Sequence, residues 1–197
     1  MSRVWLVTGS ASGLGRYIAD AVLASGDRLV ATARDPRRLE DLVAKYRDQV
    51  RTAPLDVVDE HAAREAVQLA VKAFGRLDVV VNNAGYGDVA PFEQLSSERF
   101  KALVDTNFYG VVNVTRAALP IMRRQRSGWI LQISSVGGRL ALPGIVGGFT
   151  EALARKWPPS TSRCVLSNPA ECGRTGARER SGARRTCSRT MSRPSVR

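Results

Sequence analysis

Three glycines that follow an apolar run are the first residues with an evident chemical use. "VWLVTGSASGLG" (4–15) ends a β-branched stretch and sets Gly9, Gly13 and Gly15 around Ser10, Ser12 and Leu14. Glycine lets the backbone turn tightly and come close to a ligand. A helix that starts at such a turn aims unpaired N–H groups at an anion such as a pyrophosphate. By itself the turn also reads as a plain tight connection, but here it follows a strand pattern and opens a helix pattern, the context that phosphate binding requires. Other apolar runs end in polar residues of comparable interest: Asp56 in "PLDV", Asn82 and Asn83 in "VVVNNAG", Ser134 and Ser135 in "ILQISS". An asparagine at a strand end also serves as a simple cap.

These residues need a frame, and the order of the chain supplies one. Strand patterns at 3–9, 27–33, 49–57, 77–85 and 128–135 alternate with helix patterns at 13–26, 36–46, 60–74 and roughly 97–125. Such alternation implies a parallel sheet covered on both faces, a doubly wound, Rossmann-like α/β fold in three layers (α/β/α). Ligands of such sheets sit beyond the carboxyl ends of the strands, where the polar residues above fall.

The order and spacing of "TGSASGLG", "LDV", "NNAG", "TNFYG" and "ISS" resemble the short-chain dehydrogenase/reductase family across residues 1 to about 145. The resemblance implies hydride transfer between a nicotinamide cofactor and the hydroxyl or carbonyl carbon of a small alcohol or ketone. It places Gly9, Gly13 and Gly15 on the pyrophosphate, with Ser10, Ser12 and Leu14 completing that turn. Asp56 and Val57 would flank the adenine, and Asn83, Ala84 and Gly85 would shape the nicotinamide side. Asn107 would organise a water relay, and Ser135 would hold the substrate oxygen.

The choice of cofactor rests on the end of the second strand. An acid there would bond the ribose 2′-hydroxyl, whereas an arginine would accommodate a 2′-phosphate. The family's count from the first glycine lands on Ala33, with Arg34 next, and this favours NADP(H) over NAD(H). A count of about 20 from the last glycine lands on Asp35 and keeps the acid reading open.

Reduction of a carbonyl also needs a proton donor as charge builds on oxygen. Enzymes similar to this chain use a Tyr-x-x-x-Lys pair soon after the serine, the lysine lowering the tyrosine pKa. The four tyrosines here are Tyr17, Tyr46, Tyr86 and Tyr109, all before Ser135. Where relatives read approximately "PGIxxYxASKxAxEGFTEALA", this chain reads "PGIVGGFTEALA" (143–154), so about ten residues, including both members of the pair, are missing from the pattern. A cofactor-binding protein without turnover is therefore a reading beside the oxidoreductase.

The last part of the chain has a different character. Residues 1–154 carry 19 Lys+Arg against 16 Asp+Glu, whereas residues 155–197 carry 11 against 2 and hold all three cysteines. From Lys156 onward there is little periodicity, and 155–197 reads as a basic, disordered tail attached to a nucleotide-binding domain over 1–154. If the codons after Arg155 are read one base earlier, with synonymous third bases free, the text "EVAPFDITVRSLEPGGVRTDW" becomes available. It continues "ALAR" naturally and supplies the strand and Pro-Gly turn of the family. The tail is therefore read as out of frame, with the C-terminal strands of the sheet missing and with them the helices that close the pocket and the family's usual homo-oligomer interface.

Other classes are weaker. A tail with this charge binds nucleic acid only non-specifically, having Trp157 as its one aromatic. Cysteines at 164, 172 and 187 with no histidine nearby do not make a metal site, and His61, the single histidine, is expected on the surface. No run approaches the ~18 apolar residues of a membrane span, and "MSRVWLVTGS" is too short for a signal peptide, so the cytoplasm is the expected compartment. The frame reading has a direct check. Sequencing the coding DNA should give codons compatible with "EVAPFDITVRSLEPGGVRTDW" one base earlier, and a codon that forbids that text contradicts it.

Overall fold

Short runs of Val, Leu, Ile and Ala form the strands here because a strand buried on both faces needs apolar side chains at every position. The structure, a computed structural model, describes residues 2–87 and 94–134 together with the backbone of 162–167. β1 (Val4–Val7), β2 (Arg28–Ala33), β3 (Val50–Pro54), β4 (Val79–Asn82), β5 (Gly128–Ile133) and β6 (Ser162–Ser167) build one sheet in the order β3-β2-β1-β4-β5-β6. Every neighbouring pair is parallel. The doubly wound α/β fold expected from the sequence is therefore the fold observed.

The register sorts side chains into two cores by simple alternation. Leu6 lies beside Val30 and Val80, and Val80 beside Ile130. This row packs under α3 (Glu60–Phe74) and α5 (Gly110–Gln125) with Ala66, Val67, Val114 and Ala118. One residue further along each strand, Val7, Ala31 and Val81 face the opposite side. There they meet α1 (Gly13–Ala24) and α2 (Glu40–Tyr46) through Ala19, Leu23 and Leu42. At the amino edge, the buried Asp78 carboxylate accepts from Val4 N at 2.9 Å and pairs with Arg76, pinning β1 beside β4.

Turn chemistry sets the helix ends. Asp59 caps α3 by accepting from His61 N and Ala62 N, and those bonds hold its carboxyl below the usual range. Gly75, at φ +80°, closes the same helix. His61 is exposed, as the sequence suggests. No helix among the described residues is long and apolar enough to cross a membrane.

Two expectations are corrected. The single helix read over 97–125 is three pieces: α4 (Ser97–Val104), a wide π-turn over Asp105–Tyr109, and α5. The polar Asp105-Thr106-Asn107 stretch adds one residue to the turn without interrupting the apolar periodicity on either side, so the pattern alone does not reveal it. The C-terminal strands were also expected to be missing, yet β6 lies parallel to β5, with Ile130 opposite Cys164. Its "SRCVLS" text is short and partly β-branched, and the open edge of β5 offers backbone groups that gain partners by pairing. The rest of the tail lies outside the described residues, and no seventh strand is found among them.

The packing yields a stability prediction. Leu6 is fully buried in the central strand. Leu6→Ala should lower the unfolding free energy by about 2–5 kcal/mol in a urea titration. A change under about 1 kcal/mol would contradict this account of the core.

Candidate functional site

The site begins with a contact that only glycines permit. A Cβ on Gly15 would lie 2.2 Å from the carbonyl oxygen of Gly9 and 2.4 Å from Asn83 Nδ2. Gly9 and Gly13 have φ of +69° and +55°, and Gly13 has open space where a Cβ would stand, so its glycine answers to backbone conformation rather than crowding. The chain thereby turns from β1 straight into α1. Ser12 stands at the N-cap with no side-chain cap bond, and the first turn holds no acid. The orphan N–H groups at this end, and the positive end of the helix dipole, have no carboxylate to satisfy them. Ser10 is turned away: fully buried, its hydroxyl donates to Val7 O at 2.8 Å. It builds the turn and does not face the cleft.

The end of β4 is locked to the same turn. Thr8 Oγ1 accepts from Asn83 N and from Ala84 N, both at 2.9 Å. Asn83 Nδ2 donates to Thr8 O at 2.9 Å and Gly9 O at 3.3 Å. Gly85 has Asn107 Oδ1 2.8 Å from where its Cβ would be. Asn107 reaches out of the π-turn to accept from Tyr86 N at 3.0 Å and donate to Tyr86 O at 2.7 Å. Both ends of its amide are thus spent on bracing the loop after β4.

The third wall comes from the ends of β2 and β3. Arg34 lines the cleft and makes no hydrogen bond or ion pair among the described residues. Asp35 beside it is occupied. Its Oδ1 accepts from Arg37 N at 3.1 Å and Arg37 Nε at 2.9 Å, and its Oδ2 accepts from Arg37 Nη2 at 2.9 Å. The Arg37 guanidinium holds the Asp35 carboxyl below the ordinary carboxylate range. Arg38, which the sequence reading did not single out, also lines this end. Asp56 accepts from Val58 N at 3.2 Å and keeps the loop after β3 tight beside Val57.

Together these ends enclose an open cleft of about 980 Å³, a size suited to a large ligand. Gly9, Ser12, Gly13, Leu14 and Arg34 meet there with Asp56, Val57, Asn83, Ala84 and Gly85. Gly15 supports the turn from below, and Asn107 supports the loop from behind. Ser135, and the segment after it, lie outside the described residues. The contributions of Thr8 and Arg37 went unread because each depends on a partner far away in sequence or on a side-chain orientation.

A doubly wound sheet with a glycine turn at its first helix and an Asn-bearing loop at its fourth strand defines a nucleotide-binding α/β protein. A family model described as short chain dehydrogenase matches residues 3–182, and the chain belongs to that family. It is 45% identical over 166 aligned residues to oxidoreductase BOA17 of Botryotinia fuckeliana, covering 79% of this chain and 61% of that protein. It is 33% identical over 178 residues to 3-ketodihydrosphingosine reductase of Bacteroides thetaiotaomicron, covering 86% of this chain and 64% of the relative. The crystal structure of a short-chain dehydrogenase from Streptomyces avermitilis superposes with a TM-score of 0.78 at 36% identity, over 84% of this chain and 65% of that one. The chain therefore spans about three-fifths of the length of the curated relatives it matches.

The Thr8 lock can be tested alone. Thr8→Val keeps the shape but removes the acceptor shared by Asn83 N and Ala84 N. It should cost about 1–3 kcal/mol in denaturant unfolding and speed amide exchange at 83 and 84. Unchanged exchange at both amides would contradict the lock.

Proposed function

We propose that residues 1–154 form the dinucleotide-binding domain of a short-chain oxidoreductase, that this domain prefers NADP(H), and that the chain binds its cofactor without efficient turnover. Residues 155–197 form a separate basic segment, read out of frame, although the family match crosses Lys156 and β6 falls inside the segment. The coding DNA decides between those two readings.

The fit of the cleft to the cofactor carries the proposal. The start of α1, free of acid and of a side-chain cap, suits a pyrophosphate, and the close approach at Gly15 seats that helix start directly against the tips of β1 and β4. The state of Asp35 carries the preference. An acid whose two oxygens are held by Arg37 is poorly placed to accept from a ribose 2′-hydroxyl. Arg34 beside it has no partner among the described residues, and its guanidinium matches a 2′-phosphate.

When bound, the nicotinamide exchanges a hydride with the carbon of a hydroxyl or carbonyl substrate. The residues of this chain would orient the reactants: Asn83 to Gly85 shape the nicotinamide side, Asn107 braces that loop, and Ser135 holds the substrate oxygen. A proton must still reach that oxygen, and the sequence offers no tyrosine after Ser135 to deliver it. The short text "PGIVGGFTEALA" (143–154), set against the family pattern it resembles, supports a deletion at the place of that donor.

Fluorescence titration of the purified chain should show NADPH binding about tenfold or more tightly than NADH, the scale of one charge-assisted pair, and Arg34→Ala should remove the difference. A panel of ketones and aldehydes should give no turnover above background. Equal affinity for the two cofactors would sink the NADP(H) preference, and robust ketone reduction would sink the claim of lost turnover.

A further inference from the structure

Helix α5 touches the nucleotide cleft only from behind, yet it holds two of the cleft's loops. Asn113 is buried in α5, and its Nδ2 donates to Val57 O at 3.1 Å and Val58 O at 3.2 Å. Three residues earlier, a Cβ on Gly110 would lie 2.4 Å from Val57 Cγ2, so the helix backbone packs directly on that side chain. Three residues before that, Asn107 binds both backbone groups of Tyr86, accepting from its N–H and donating to its carbonyl. The π-turn carrying Asn107 runs into α5 without a break, so the three anchors stand three residues apart along one continuous helical backbone. The loop after β3 has local bonds, Asp56 to Val58 N and Asp59 N to Asp56 O, and Leu55 N donates to Ala33 O, tying its start to β2. None of these bonds links it to the nicotinamide-side loop, which Asn113, Gly110 and Asn107 reach through α5 and the turn before it.

We infer that Asn113 and Gly110 are positioning residues for the adenine end of the nucleotide, and that α5 is a strut setting the adenine wall at a fixed distance from the nicotinamide-side loop. This rests on the dinucleotide reading of the cleft. Asn113 contacts no reacting atom in this assignment. It acts through the carbonyls of Val57 and Val58, whose displacement would move the adenine wall. The amide suits the task because one NH₂ group can serve two carbonyls at once, and an isosteric carboxylate cannot donate to either.

The experiment uses the full chain and ADP, which carries the adenine half and lacks nicotinamide. Asn113→Asp should raise the Kd for ADP about tenfold, the scale of losing hydrogen bonds at a buried site, while the far-ultraviolet circular dichroism stays native. A residue that only stabilises the fold would lower the unfolding midpoint and leave the Kd of the folded protein unchanged. If the variant does not fold, amide exchange of the wild type decides: ADP should slow exchange in 56–59 and in 110–116 together. A folded Asn113→Asp with the wild-type Kd, or protection confined to 56–59, overturns the strut. A wild-type chain that binds no ADP at any accessible concentration overturns the dinucleotide reading and the strut with it.

Discussion

The approach of Gly15 to Gly9 and Asn83 is the constraint on which the rest of the site depends. With backbone oxygen and side-chain nitrogen 2.2 and 2.4 Å from where a Cβ would stand, α1 must begin directly against the tips of β1 and β4. That position aims the helix start into the cleft. It also lets Asn83 tie the two strand ends together, since its amide reaches Thr8 O and Gly9 O only at this separation. Thr8 answers from the other side by serving two amides of the same loop. The nucleotide cradle is thus a consequence of sheet register and close packing, and few side chains need to project into it.

Much of this was legible in the sequence because its cause is local. Alternating apolar runs and amphipathic stretches marked five strands and most of the helices. The glycines marked the turn between β1 and α1, where Gly9 and Gly13 take positive φ. What stayed hidden depends on tertiary partners. The π-turn carries Asn107, whose amide bonds Tyr86, and nothing in the periodicity of 97–125 shows one added residue. Ser10 sits in the motif like a cleft residue, but its hydroxyl is consumed by Val7 O. Asp35 reads as an available acid until Arg37 is seen to hold both its oxygens. β6 was hidden by composition: an arginine-rich, cysteine-bearing segment reads as unstructured, while the unpaired edge of β5 gives a short apolar run a place to dock.

The two halves of the chemistry have separable physical origins. Binding a dinucleotide asks for backbone donors and a helix dipole, which the turn from β1 into α1 supplies; under the proposed NADP(H) preference Arg34, just after β2, adds a cation. Moving a proton asks for a side chain whose pKa has been tuned by a neighbour, and in this family that pair follows the serine of the fifth strand. This chain keeps the glycine turn and the Asn-bearing loop together, and its sequence has no tyrosine beyond Tyr109.

A crystal structure of the full chain grown with NADP tests the account most directly. The cradle predicts pyrophosphate oxygens within hydrogen-bond reach of the backbone N–H groups of residues 13–15, with the 2′-phosphate against Arg34. A dinucleotide seated away from the start of α1, or no density in the cleft at saturating cofactor, would contradict it.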